Sequence, residues 1–214
     1  MKRVVILGAG GLGCPAALAL AESGADLTLA LVDDDRVERS NLARQILFRA
    51  GDVGEPKARV AARRLGARAE ACEVRFSADN AASLLRGADV VLDGTDNFET
   101  RFAANDAAIR ARVPLVHGAV LGWTGQLLTI LPGRTACLRC LFEGPPPPGS
   151  VPACAEAGVA SPLCGLVGAA MAVAALEVLH GTAEGAVLQR WDGRRGTTRP
   201  LQLRPEPGCR CGIL

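Results

Sequence analysis

Arg3-Val4-Val5-Ile6-Leu7-Gly8-Ala9-Gly10-Gly11-Leu12-Gly13 is the stretch on which the fold turns. Arg3–Leu7 is a short apolar run that reads as a strand and ends in glycines. Leu12–Ser23 has helical spacing and stops at Gly24, a C-cap signal. Glycines between a strand and a helix permit a tight turn. They also let a phosphate approach the backbone where unpaired N–H groups and the helix dipole favour an anion. Gly8, Gly10, Gly11 and Gly13 are therefore candidate nucleotide-binding positions. The next strand signal, Leu27–Val32, ends in Asp33-Asp34-Asp35. Asp33 lies twenty residues beyond Gly13, placed to accept both hydroxyls of a ribose. Alone, this fingerprint means an adenosine nucleotide, most often NAD, and points to an NAD(P)-dependent oxidoreductase. The bland alternative is glycines that serve only close helix–strand packing.

Outward from that turn, strand and helix signals alternate. Pro56–Leu65 reads as helix with Pro in its first turn. Ala69–Val74 reads as strand, Asp79–Arg86 as a short helix and Asp89–Leu92 as a buried strand. Asn97–Arg112 reads as helix and Leu115–Val120 as strand. This rhythm predicts an α/β fold, a Rossmann-like, doubly wound, mostly parallel sheet with helices on both faces. The second half changes character. Gln126–Leu131 follows a short connection and is expected to pair antiparallel. Gly144–Pro152 holds four consecutive prolines and reads as an extended crossover. Ser161–Leu179 reads as a long buried helix, and Val187–Trp191 with Thr198–Leu203 as a hairpin around Asp192-Gly193. The expectation is one domain over 1–214, with a nucleotide-binding half (1–120) and an antiparallel half (121–214).

Composition excludes several classes. With 214 residues, 49% hydrophobic, the chain can bury a core without disulfides. Aromatics are 3%, with no Tyr, which argues against a stacking platform for single strands. A net charge of +2 is no phosphate-backbone footprint, so no nucleic-acid partner is expected. Met1-Lys2-Arg3 and the apolar run behind it look like a signal peptide, but the glycines sit at a nucleotide-binding spacing. The uncharged stretch 157–176 is about long enough to span a bilayer. It is mostly Ala and Gly with Pro162 inside, and reads as a core helix. No membrane partner and a cytoplasmic location are expected. In that reducing compartment the eight cysteines are metal ligands, reactive thiols or core fillers.

Three further groups bear on the chemistry. Asn41-Leu42-Ala43-Arg44-Gln45 follows Asp33, and Lys57 opens the next helix. A hydride enzyme needs only a backbone-held diphosphate, whereas an added Asn, Arg and Lys suit a triphosphate with charge building on a leaving pyrophosphate. Otherwise Arg44 and Lys57 are solvated surface charges. Asp93-Gly94-Thr95-Asp96-Asn97 follows the fourth strand, at the sheet edge where ligands bind. There Asp96 offers Mg²⁺ a hard oxygen, or Thr95 or Asp96 caps the helix. Cys137 and Cys140 have zinc-knuckle spacing and need two more ligands to close a tetrahedral site; otherwise they are reduced thiols. Cys14, Cys72 and Cys164 read as core or helix-face thiols, and His117 and His180 as structural.

This set of motifs resembles the ThiF/MoeB/HesA family, relatives of the adenylation half of ubiquitin-activating enzymes. The resemblance runs from Lys2 to about Cys211. It is carried by Gly8–Gly13, Asp33, Ser40–Gln45, Gly54-Glu55-Pro56-Lys57, Asp93–Asn97 with Arg101, Pro114-Leu115-Val116, Gly125-Gln126, Cys137–Cys140 and Cys154–Val159. It implies ATP-dependent adenylylation of the C-terminal glycine of a small ubiquitin-like sulfur carrier protein ending in Gly-Gly. The pathway would be thiamine, molybdopterin or tRNA thiolation. In that family Asp33 goes to the ribose and Asn41, Arg44 and Lys57 to the phosphates. Asp96, beside Asn97, goes to Mg²⁺. Zinc ligands come from Cys137, Cys140 and a C-terminal pair, here Cys209 and Cys211, one residue closer than the family's Cys-x-x-Cys. Cys154 matches a position that takes the activated carrier covalently in some members and is dispensable in others. A homodimer, and a sulfurtransferase or cysteine desulfurase partner, are also implied. The family's Arg that reaches the partner protomer's ATP lies ahead of the first strand, where this sequence begins; Arg194 or Arg195 are candidates for that part. Besides the oxidoreductase, the competing reading is a non-catalytic nucleotide-binding scaffold for a carrier protein.

Overall fold

The computed structural model describes residues 1–147, 150 and 158–212. Eight strands form one sheet in the order β3-β2-β1-β4-β5-β6-β7-β8. β1 (Lys2–Leu7) lies between β2 (Leu27–Val32) and β4 (Val90–Asp93), parallel to both. β3 (Ala69–Cys72) extends the parallel part beyond β2, and β5 (Leu115–Leu121) extends it beyond β4. β6 (Thr124–Ile130), β7 (Val187–Asp192) and β8 (Thr197–Gln202) then add antiparallel. The chain winds outward from β1 through β2 to β3, then returns to β4 on the other side. That reversal opens a crevice at the carboxyl ends of β1 and β4.

β1 reads as an unbroken apolar run because both its faces are covered. Val4 and Ile6 pack with α1 (Gly13–Ala21), α2 (Lys57–Leu65) and α6 (Ser161–His180). Val5 and Leu7 join the opposite core, with α3 (Ala81–Leu84), α4 (Phe98–Ala111) and α5 (Leu138–Leu141). α6 is the one helix among the described residues long and apolar enough to cross a membrane. Here Leu163, Val167, Met171 and Ala175 are buried in the core. It approaches so closely that a Cβ at Gly168 would overlap Pro15 and the Leu12 carbonyl of α1's entry.

The last hairpin departs from expectation. Its reversal spans Gly193–Gly196, because Asp192 remains in the strand, paired with Thr197. The Asp192 carboxylate instead accepts the Arg194 and Arg195 N–H groups at 3.0 and 3.1 Å, an Asx-type closure of the turn. Of the proline-rich crossover, 148–149 and 151–157, Cys154 included, lie outside the described residues.

Candidate functional site

The glycine turn sits at the crevice. Gly8 has φ +86°, a left-handed conformation that favours glycine, and a Cβ on Gly13 would collide with the Gly8 carbonyl oxygen. The first glycine thus makes the turn, and Gly13 lets α1 press onto it. Gly94 donates its N–H to the Leu7 carbonyl, and a Cβ there would sit 3.1 Å from Leu12 Cβ. The loops after β1 and β4 are therefore in contact, and together they floor one cleft. Lining it are Gly8, Gly10, Gly11, Asp33, Arg44, Lys57, Asp96 and Asn97, all expected from sequence.

Asp33 links the second strand to the glycine turn. Its Oδ2 accepts the Ala9 N–H at 2.7 Å and its Oδ1 the Asp35 N–H at 2.9 Å. Burial pushes its carboxyl up, against the opposing pull of Lys57 and these two N–H groups. Lys57 is no solvated surface charge: its side chain is 8% exposed, and Nζ lies 2.7 Å from Asp35 Oδ2. Arg44 is half-buried, donates to Asn41 Oδ1 and lies across Gly11. Asn41 thus holds Arg44, and Asp35 holds Lys57. Both cations stand at the cleft fixed by a neighbour.

The turn after β4 settles the capping question. Neither Thr95 nor Asp96 caps α4; Asn97 does, its Oδ1 accepting the Thr100 N–H at 2.9 Å. Thr95 is committed elsewhere. Its N–H and hydroxyl donate to Asp93 Oδ1, and its carbonyl accepts from Arg101 at 2.8 and 3.1 Å. Asp96 is exposed at the cleft, with no partner among the described residues. Its free carboxylate is a hard-oxygen donor and fits Mg²⁺ chemistry. Asp33, Asp34 and Asp35 also cluster within reach of one cation. In that group Asp33 is engaged by backbone N–H groups and Asp35 by Lys57.

Sequence reasoning did not single out Gln45, Arg75 or Phe76 as cleft residues, nor Cys164, which also lines it. Gln45 is buried, and its Oε1 has no hydrogen-bond partner among the described residues. The signal available for Arg75 and Phe76 was their place just past β3, at the carboxyl edge of the sheet.

The cysteines converge across a long sequence separation. Cys140 Sγ lies 3.3 Å from Cys211 Sγ, and Cys137 Sγ lies 3.8 Å from Cys209 Sγ. All four sulfurs fall within 4.8 Å of one another. A tetrahedron with metal–sulfur bonds near 2.3 Å needs sulfurs roughly 3.8 Å apart, so the donor set fits zinc. The shorter Cys-x-Cys spacing still closes the group, through a one-turn 3₁₀ segment, Arg210–Gly212. Burial pushes the Cys137 thiol up to about 11, with the neighbouring sulfurs adding to it.

The sequence profile of the ThiF family matches residues 1–211. The chain belongs to the ThiF family. It is 46% identical to the sulfur carrier protein adenylyltransferase of Thermus thermophilus, over 98% of this chain and 82% of that protein. It is 43% identical to the SAMP-activating enzyme E1 of Haloferax volcanii, over 97% of this chain and 79% of that protein. The fold also matches E. coli MccB, solved with ATP, with a TM-score of 0.86 at 21% identity, over 100% of this chain and 67% of MccB. This ThiF-family chain is an adenylyltransferase of the ThiF/MoeB type. The oxidoreductase suggested by the glycines and Asp33 alone is thereby set aside.

Proposed function

We propose that this ThiF-family enzyme uses ATP to adenylylate the C-terminal glycine of a small ubiquitin-like sulfur carrier ending in Gly-Gly. The observation that carries the reading is the convergence of Asp33, Arg44, Lys57 and Asp96 on one cleft, with Lys57 buried. Lys57 is held at the cleft by its ion pair with the exposed Asp35, and together with Arg44 it offers a triphosphate two positioned cations. The carrier carboxylate is already ionised at neutral pH, so the chain supplies no general base. Its oxygen attacks the α-phosphorus, the bond to the bridging oxygen breaks, and pyrophosphate leaves with the electron pair. Asp33 orients the ribose, the Gly8–Gly13 turn with Asn97 seats the nucleotide, and Asn41, Arg44 and Lys57 take the phosphates, the two cations offsetting their charge. Asp96 would hold Mg²⁺, which would add to the neutralisation of that charge.

The same reading gives the four cysteines a structural zinc with no open position. After adenylylation the Cys154 sulfur attacks the acyl carbon, forming a thioester as AMP leaves, and a sulfurtransferase or cysteine desulfurase supplies the sulfur. Residues 1–214 act as a single cytoplasmic domain, working as a homodimer, with 121–214 receiving the carrier. The relatives named for a sulfur carrier and for SAMP support the carrier substrate. Calorimetry with ATP·Mg²⁺ and with NAD, followed by carrier-dependent ATP–pyrophosphate exchange, tests the reading. ATP binding with exchange is expected. NAD binding overturns it, and ATP binding without exchange leaves the non-catalytic scaffold.

A further inference from the structure

We propose that His117 is a positioning residue for the Asp96 turn, acting through the buried carboxylate of Asp93; this rests on the nucleotide reading above. Asp93 ends β4 and is fully buried, and His117 stands directly opposite it on β5. His117 Nδ1 lies 2.8 Å from Asp93 Oδ2. The other oxygen, Oδ1, takes both the N–H and the hydroxyl of Thr95, at 3.0 and 2.7 Å. One carboxylate thus joins a core imidazole to the residue immediately before Asp96.

The energetics make the imidazole the anchor. An ionised carboxylate with no exposure is tolerated only when its oxygens are satisfied by donors. Thr95 serves Oδ1, and among the described residues His117 alone serves Oδ2. An ionised Asp93 requires the His117 proton on Nδ1. Without that donor, Asp93 is left with an orphaned oxygen, and it escapes by rotating toward a new partner or by taking up a proton. Either change weakens its hold on Thr95, and the turn that presents Asp96 loses its fixed end. Arg101 still grips the Thr95 carbonyl, so the turn loosens without unfolding. His117 reaches Asp96 only through Asp93 and Thr95; direct partners of a metal ligand typically change metal affinity by about tenfold to a hundredfold, and the low end applies to this longer link.

The discriminating experiment compares His117→Leu with His117→Asn. An Asn amide nitrogen, like Nδ1, is attached to Cγ, so it returns the donor to nearly the same place. ATP affinity is measured by calorimetry with Mg²⁺ and with EDTA, alongside thermal melting. Wild type is expected to bind ATP more tightly with Mg²⁺. His117→Leu should lose about tenfold of that Mg²⁺-dependent gain while keeping its EDTA affinity, and His117→Asn should restore it. Thr95→Ala removes the hydroxyl from Asp93 Oδ1 while leaving the backbone N–H there, and should lose part of the same gain if His117→Leu fails to fold. An unchanged Mg²⁺ gain in His117→Leu, or in Thr95→Ala, overturns the proposal, whatever the melting temperature does. Wild type that binds no ATP brings down the nucleotide reading and this proposal with it. Wild type that binds ATP with a Mg²⁺ gain insensitive to these variants refutes the His117 role alone.

Discussion

The nucleotide half and the cysteine half solve the same problem, holding charged or reactive groups in place, by opposite means. Around the cleft, the positions come from the backbone. Gly8 turns, Gly13 yields space, and Asp33 is gripped by two N–H groups. Around the sulfurs, the start of the short helix α5 and a one-turn 3₁₀ segment about seventy residues further on bring together Cys137 with Cys209 and Cys140 with Cys211, through side chains. A site built on strand ends is preformed by the sheet. A site built from four thiols on short segments gains most of its stability from the ion it is made to hold. The difference predicts that ligand removal leaves one half standing and loosens the other.

The largest expected effect tests that directly. Protein prepared without chelators should carry about one zinc per chain, and Cys211→Ala should destabilise it by roughly several kcal/mol. Cys72→Ala, a packing change at the half-buried end of β3, should cost about 1 kcal/mol or less. Elemental analysis and melting curves decide this. A metal-free wild type that melts no lower than a zinc-loaded one would erase the contrast between the halves.

Next in size is Asp96. Asn97 is the cap of α4, so Asp96→Asn should leave melting unchanged while lowering pyrophosphate exchange by roughly 10²-fold or more at saturating Mg²⁺. Near wild-type exchange would remove the metal role from this turn.

A smaller effect concerns the loop that carries Arg44 and leads into Lys57 at the start of α2. Asp52 is buried and accepts from the Arg49 N–H, Arg64 and Arg63. Burial opposes its ionisation, but these donors outweigh it and hold the carboxyl below its ordinary value of 3.8. A depressed carboxylate contributes stability above that ordinary value and loses it as pH falls through the lowered one. Asp52→Asn should therefore cost about 1 kcal/mol at neutral pH. Its melting curve should converge on wild type in acid. A gap that persists below the lowered value would mean that shape, not charge, is what Asp52 supplies.

The smallest expected effect is none. Adenylylation uses no thiol, so Cys154→Ala should leave pyrophosphate exchange intact while any later sulfur transfer suffers. Loss of exchange in the folded variant would contradict that order of steps.

Much of the nucleotide half was legible because its signals are local. The glycine spacing, the acid after the second strand and the run Asn41–Gln45 each lie within one loop, and the sheet brings those loops to one edge. What stayed hidden depended on strand order. Arg75 and Phe76 enter the cleft because β3 lies beside β2, and His117 meets Asp93 because β5 pairs in register with β4. Neither fact is written in a motif. The cap of α4 was missed for a different reason: the sequence pattern starts the helix at Asn97 and offers Thr95 or Asp96 as its cap, whereas the helix begins at Phe98. Only the hydrogen bonds, with Thr95 turned to Asp93, assign the role to Asn97. The cysteine group was half legible. Cys137 and Cys140 announce themselves by spacing, while Cys209 and Cys211 came only through the family's pattern.

The seat of Gly168 on Pro15 and the Leu12 carbonyl has a dynamic consequence. Helices separated by clearance can breathe independently; helices whose backbones nearly touch cannot. α1 and α6 should therefore exchange their amide hydrogens as one cooperative unit, although about 140 residues separate them in the chain. Any ligand that quiets the glycine turn would then slow exchange along a helix belonging to the other half of the molecule.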